Sequence, residues 1–211
     1  MTTDPATTPA GAGQPAPVPL WNVANILTMA RILMVPVFVY LFLQDTTTTR
    51  LWATAVFALA AATDKLDGSI ARSRGLVTDF GKITDPIADK ALVISALVLL
   101  SADGLLPWWV TVVIIVRELG ITALRFFMIR RAVMAASKGG KLKTTLQIAF
   151  ILLLLVPWDG MLSNGVVDAI AVVTWIVVLV AVAVTVITGI DYVVQAARIS
   201  AAAEDDDAAR T

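Results

Sequence analysis

From Trp21 onward the chain is a succession of apolar runs, most of them long enough, at about 1.5 Å per helical residue, to cross a hydrocarbon layer about 30 Å thick. Six can be read, from about Leu20 to Leu43, Arg50 to Ser73, Phe80 to Ser101, Pro107 to Arg131, Lys143 to Val156 and Val166 to Arg198. The fifth is short on strict hydropathy, and the sixth is long enough to project beyond a bilayer. Such a pattern predicts an all-α integral membrane protein of six transmembrane helices.

Composition agrees: 58% of the residues are hydrophobic, 15% are charged and the mean hydropathy is +0.85, outside the range of a domain whose surface faces water. The formal net charge is zero, so nothing points to nucleic acid, and any useful charge asymmetry is local. With no cysteine and no histidine, disulfides, thiolate chemistry, zinc-thiolate sites and imidazole-based catalysis are excluded. Carboxylates, Lys, Arg and bound metal remain. Residues 1–19 are rich in Pro, Thr, Ala and Gly and lack Lys and Arg; they read as a disordered cytoplasmic tail rather than a signal peptide. Residues 20–199 form the transmembrane domain and residues 200–211 an acidic flexible tail. The connections QDTTTT, SADGLLP and PWDGMLSNG carry no basic residue, with Arg50 alone at the edge of the first. The alternate connections hold Arg72, Arg74 and Lys82, then Arg130, Arg131, Lys138, Lys141 and Lys143. Basic loops stay in the cytoplasm, which places both termini there.

Against this background one stretch stands out: DKLDGSIARSRGLVTDFGKITDPIADK, residues 64–90, holds five aspartates and five basic residues. The apolar part of the second segment is too short to span alone, so its helix continues through Asp64 and Asp67 to about Arg72. The third helix starts near Phe80 and runs back, with Pro86 expected to start or kink it. Asp64 and Asp67 are spaced i,i+3, and Gly81, Asp85 and Asp89 repeat at i,i+4, so each set shares a helical face. Four carboxylates facing one small volume beside a membrane need cations, and all-oxygen ligation suits a pair of hard divalent ions, Mg²⁺ or Mn²⁺, of the kind that clamps a phosphate. Gly68, Ala71 and Gly81 leave room for a ligand to approach the backbone, and Arg72 suits phosphate oxygens. The plain alternative is a set of helix-end charges in the headgroup layer, paired with Lys65, Arg72, Lys82 and Lys90.

The order Asp64-x2-Asp67-Gly68-x2-Ala71-Arg72-x8-Gly81-x3-Asp85-x3-Asp89 matches without a gap the motif of the CDP-alcohol phosphotransferases, membrane enzymes of phospholipid synthesis, which this chain resembles over nearly all its length after the tail. The resemblance implies a homodimer of six-helix protomers in the inner (plasma) membrane of a bacterium, among membrane lipids, with the active site facing the cytoplasm. It implies that Asp64, Asp67 and Asp85 bind metal, that Asp89 lies near metal and acts as general base, and that Gly68, Ala71, Arg72 and Gly81 surround the CDP group of a CDP-linked lipid. The opening NVANILTMARI resembles the family's first helix, where Asn25, Thr28 and Arg31 would border the CDP pocket; polar and basic residues at a membrane interface are the equal alternative.

A second basic region, VRELGITALRFFMIRRAVMAASKGGKLKTTLQ, puts Arg117 and Glu118 well inside the fourth apolar segment, with Arg125 two turns beyond and Lys138, Lys141 and Lys143 around a Gly-Gly pair. An Arg at membrane depth needs a partner or a polar cavity. One reading pairs Arg117 with an aspartate or Glu118 and leaves the lysines to topology. The other makes Arg117, Arg125 and the lysines a pocket for an anionic alcohol. The Arg-Glu pair, the later Arg and the Gly-Lys-x-Lys-Thr run resemble the bacterial phosphatidylglycerophosphate synthase branch of the family. That implies CDP-diacylglycerol as donor and sn-glycerol 3-phosphate as acceptor. Branches using phosphatidylglycerol or inositol phosphate share the core, and a divalent-cation transporter using the same aspartates is the alternative from another class. Asp191 and Tyr192 need no functional role at a helix end by a membrane interface. Trp108, Trp109, Trp158 and Trp175 read as an outer aromatic belt.

Overall fold

The computed structural model describes the backbone of residues 23–74, 79–128 and 138–208, and side chains over 25–64, 87–88, 90–124, 141–159 and 161–199. Within them lie six α-helices, α1 (Val23–Leu43), α2 (Thr47–Arg74), α3 (Asp79–Ala102), α4 (Trp108–Met128), α5 (Lys138–Leu155) and α6 (Asn164–Ala208), plus a 3₁₀ turn at Trp158–Gly160. The six expected segments are all present. Three details differ from expectation. Helix α3 begins at Asp79 and runs through Pro86, so the proline does not start it. Helix α5 begins five residues before Lys143, because its buried polar positions interrupt the hydropathy and not the helix. The backbone of α6 stays helical through Ala208, where an alanine-rich sequence favours propagation over a flexible tail. The expected N-terminal tail, 1–19, and Arg130 and Arg131 lie outside the described residues.

Helix α1 packs on α2 and α3, while α4 and α5 pack on α6; α2 and α3 also meet α5, joining the two halves. The seam is built from one stripe per helix: Phe38 and Phe42 on α1; Ala53, Phe57 and Ala60 on α2; Leu92, Ala96, Leu97 and Leu100 on α3. From the other half come Val110 and Ile114, Phe150, Ile151 and Leu155, and Val178 and Ala181. The alanines let helices approach closely, and the tilted Phe38, Phe42 and Phe57 rings fill the space between them.

What faces outward is more apolar than what faces inward. Leu33, Val116 and Ile187 are each 66% exposed, whereas Asn25, Thr28, Arg31, Thr111, Lys143, Gln147 and Thr185 are buried. A fold surrounded by water inverts that arrangement; one surrounded by hydrocarbon adopts it. Two helical stretches among the described residues are long and apolar enough to cross a membrane, Asn25–Leu43 and Asn164–Ile199, and within each only 22% of an 18-residue apolar window is buried. The other helices carry charged residues within the span.

The turns far from the basic loops are closed locally. Thr46 and Thr49 exchange backbone N–H to hydroxyl bonds at 3.2 Å each way, a reciprocal cap at the start of α2. Gly104, at φ +78°, ends α3 with its N–H on the Ser101 carbonyl while the Leu105 N–H reaches the Leu100 carbonyl, a Schellman closure. Arg50 clamps the two turns together: it donates to Asp45 and Asp103 and lies 4.4 Å over the Phe42 ring. The lone basic residue at this end is therefore neutralised.

Candidate functional site

Every buried stripe changes character towards the other end of the bundle. On α1, the face of Phe38 and Phe42 continues back through Arg31, Thr28 and Asn25, which are 0%, 1% and 5% exposed. On α2, the face of Ala53, Phe57 and Ala60 continues to Asp64, one turn on. The two stripes meet where Arg31 Nη1 lies 2.8 Å from Asp64 Oδ1. A fully buried guanidinium is stable only beside an anion, so Asp64 neutralises Arg31 from one side while its own carboxyl stays about one-third exposed. Asp64 is the described member of the expected metal set. Asp67, Gly68, Ala71 and Arg72 follow it on α2, and Gly81, Asp85 and Asp89 occupy α3, which packs on both α1 and α2. Side chains at those positions lie outside the described residues. By helical spacing, positions 85 and 89 share a face with Ala88 and Leu92, both buried. Among the described residues no three of His, Cys, Asp and Glu come together.

The second centre lies between α4, α5 and α6. Arg117 on α4 donates from Nη1 to Glu118 Oε1 at 3.2 Å and from Nη2 to Thr188 Oγ1 on α6 at 3.0 Å, and its guanidinium stands 5.9 Å from the Tyr192 ring. Lys143 on α5, 5% exposed, makes an ion pair with the same Glu118 oxygen. One carboxylate thus serves two cations from two helices. The Arg117 Nε–H is buried with no hydrogen-bond partner among the described residues. Gln147, one turn deeper than Lys143 on α5, is likewise buried with its Nε2 unpartnered. Among the described residues these are donors without acceptors, in a buried part of the fold where polar groups are ordinarily paired.

With that geometry described, comparison with known proteins is informative. The family model for CDP-alcohol phosphatidyltransferase matches residues 21–187, a stretch that contains both centres. The chain belongs to the CDP-alcohol phosphatidyltransferase family. It is similar to a probable phosphatidylglycerophosphate synthase of Mycobacterium tuberculosis (strain ATCC 25618 / H37Rv), 48% identical over 180 residues covering 84% of this chain and 82% of that protein. It is 38% identical over 149 residues to a CDP-diacylglycerol–glycerol-3-phosphate 3-phosphatidyltransferase of Bacillus subtilis (strain 168), covering 64% of this chain and 77% of that protein. A protein of the same name from Escherichia coli (strain K12) is 39% identical over 141 residues, with 64% and 77% covered.

Within this family member the expected basic residues divide. Arg117 and Lys143 come together through Glu118, so the Arg117–Glu118 pairing foreseen as the plain alternative is present. Lys141 is exposed on another face of α5, and the side chains of Arg125 and Lys138 lie outside the described residues. Sequence reasoning gave no role to Tyr192, expected at an interface; it is 2% exposed and packs under Arg117. It missed Thr188, Gly189 and Gln147 altogether. A Thr-Gly step in a run of Val and Ile was the available signal for the first two. Trp108 and Trp109 open α4 and are half exposed, as a belt requires, whereas Trp175 lies well inside α6 because that helix already starts at Asn164.

Proposed function

We propose that this protein transfers the phosphatidyl group of CDP-diacylglycerol to sn-glycerol 3-phosphate, giving phosphatidylglycerophosphate and CMP. The observation that carries the reading is the unbroken eight-position motif of α2 and α3, inside the region that matches the family. The names of the relatives support the acceptor, as does the convergence of Arg117 and Lys143 on one carboxylate. On this reading six helices cross a bacterial inner membrane, both termini are cytoplasmic and the protein is a homodimer. The polar ends of the stripes then form one cytoplasmic-side cavity, and the Arg50 clamp lies at the opposite face.

The donor set suits a hard divalent ion. Asp64 offers a partly exposed carboxylate, the other three positions are also aspartates, and the chain contains neither His nor Cys. Asp64, Asp67, Asp85 and Asp89 would hold two ions, Mg²⁺ or Mn²⁺, whose contribution when bound is to neutralise the pyrophosphate and the departing CMP. Arg31 holds the Asp64 carboxylate in place, and Asn25, Thr28, Gly68, Ala71, Arg72 and Gly81 border the CDP group. Arg117 and Lys143, with Arg125, Lys138 and Lys141 around them, bind the acceptor's phosphate. Asp89 accepts the proton of the attacking hydroxyl as its oxygen bonds to the lipid-side phosphorus; the bridging P–O bond breaks and CMP leaves with the electron pair. No covalent enzyme intermediate forms.

The test is CMP release by the purified protein in detergent with CDP-diacylglycerol, with and without divalent ion and sn-glycerol 3-phosphate. Release that needs both supports the reading. Release only with phosphatidylglycerol or inositol phosphate keeps the reaction and overturns the acceptor. No release with any of these alcohols overturns the reading altogether. Asp89→Asn is expected to abolish transfer while CDP-lipid still binds, and substantial remaining turnover would remove its role as base.

A further inference from the structure

Arg117 is held by a seat on α6 as well as by its carboxylate. The buried face of that helix runs Thr174, Val178, Ala181, Thr185, Gly189, Tyr192 and Ala196, and its one missing side chain falls where Arg117 crosses. A methyl group at Gly189 would stand 3.2 Å from Arg117 Cγ and 3.8 Å from Nε. The first distance is tighter than packed carbons ordinarily adopt. The neighbouring Thr188 takes the Nη2 hydrogen bond at 3.0 Å, and Thr188 is itself fixed by donating back to the Val184 carbonyl at 2.7 Å. Tyr192, one turn along, supplies the aromatic ring below the guanidinium. The glycine admits the stem, the threonine sets the fork and the tyrosine supports its plane. Meanwhile the Nε–H is buried and has no partner among the described residues, which leaves a donor in the fork for a bound acceptor atom.

We infer that Gly189 and Thr188 are positioning residues that set recognition of a phosphorylated acceptor by seating Arg117 across α6. This rests on the reading of Arg117 as a ligand of that phosphate. The physical basis is that a bidentate guanidinium contact depends on orientation, and a displaced stem misaligns both N–H groups at once. Outside their own helix, the hydrogen bond of Thr188 and the atoms nearest a methyl group at Gly189 are those of Arg117, so the effect is expected on the acceptor.

The experiment measures KM for sn-glycerol 3-phosphate, KM for CDP-diacylglycerol and kcat in Gly189→Ala, Thr188→Val, Arg117→Ala and the double variant Gly189→Ala/Arg117→Ala, using the full chain in detergent. Gly189→Ala is expected to raise the acceptor KM about tenfold, the order of one charge-assisted hydrogen bond, with the donor KM and kcat held. Thr188→Val, nearly the same shape without the hydroxyl acceptor, is expected to raise it a few-fold, and it keeps the proposal testable where Gly189→Ala fails to fold. In the Arg117→Ala background, which has no Cγ to displace, Gly189→Ala should change the acceptor KM less than about twofold. A merely structural glycine would show the same loss in both backgrounds, and that outcome overturns the proposal. An acceptor KM unmoved by Arg117→Ala overturns the ligand reading instead. One raised by Arg117→Ala and unmoved by both α6 variants overturns the seat alone.

Discussion

Arg50 and Arg117 are alike by every coarse measure and opposite in what surrounds them. Each has a side chain 13% exposed, each lies over an aromatic ring and each donates to a carboxylate. Arg50 meets two carboxylates, Asp45 and Asp103, so its surroundings over-neutralise it. Among the described residues Arg117 meets one carboxylate, that of Glu118, which Lys143 also contacts, and its Nε–H has no partner there. A cation that meets two carboxylates is tied into the fold; a buried guanidinium that meets one, and keeps a donor without a described partner, is suited to take up a further anion. On the proposed function, the number of carboxylates met among the described residues, more than burial or ring contact, is what separates Arg50 from Arg117.

The largest effect that can break the comparison is on Arg117. Arg117→Ala is expected to lower kcat/KM for sn-glycerol 3-phosphate roughly 100-fold, by removing up to two charge-assisted hydrogen bonds, with the melting temperature nearly unchanged or slightly raised. A large fall in melting temperature with kcat/KM intact would place Arg117 in the same class as Arg50. Arg50→Ala should give the converse. It leaves Asp45 and Asp103 without their cation at a partly exposed turn and is expected to cost about 1–2 kcal/mol of stability, read as a lower melting temperature in detergent, with the acceptor KM unmoved. A changed acceptor KM there would mean that the two ends are coupled.

The same contrast explains how much was legible beforehand. The six helices were readable because apolar runs report length directly, and the aspartate motif because its members lie within one helix pair. A boundary failed where a polar residue points inward: Lys143 is an interior position of α5, although hydropathy reads it as its end. Long-range partners were not readable. Arg31 and Asp64 come from different helices, and nothing local in NVANILTMARI distinguishes a buried arginine paired with a motif aspartate from one lying in headgroups. Gly189 is the extreme case, since its meaning is the absence of an atom opposite a residue 72 positions earlier, as the Arg117 contact reveals. Tyr192 was noticed and set aside, because its ring's contact belongs to α4 and not to its own neighbours.

The smallest prediction separates the two anions of the Arg50 cluster. Asp45 is 79% exposed and Asp103 33% exposed, so water already screens the first far more than the second. Asp45 also sits at φ +50°, a left-handed conformation that costs a side-chain-bearing residue and that glycine adopts freely. In Asp45→Gly the loss of a screened ion pair, up to about 0.5 kcal/mol, is opposed by relief of the backbone, so the melting temperature should move by less than about 1 °C. Asp103→Ala has no such relief and removes the better-shielded partner. It should lower the melting temperature clearly more, and equal losses in the two variants would show that the cluster acts through its overall charge and not through the Arg50–Asp103 contact.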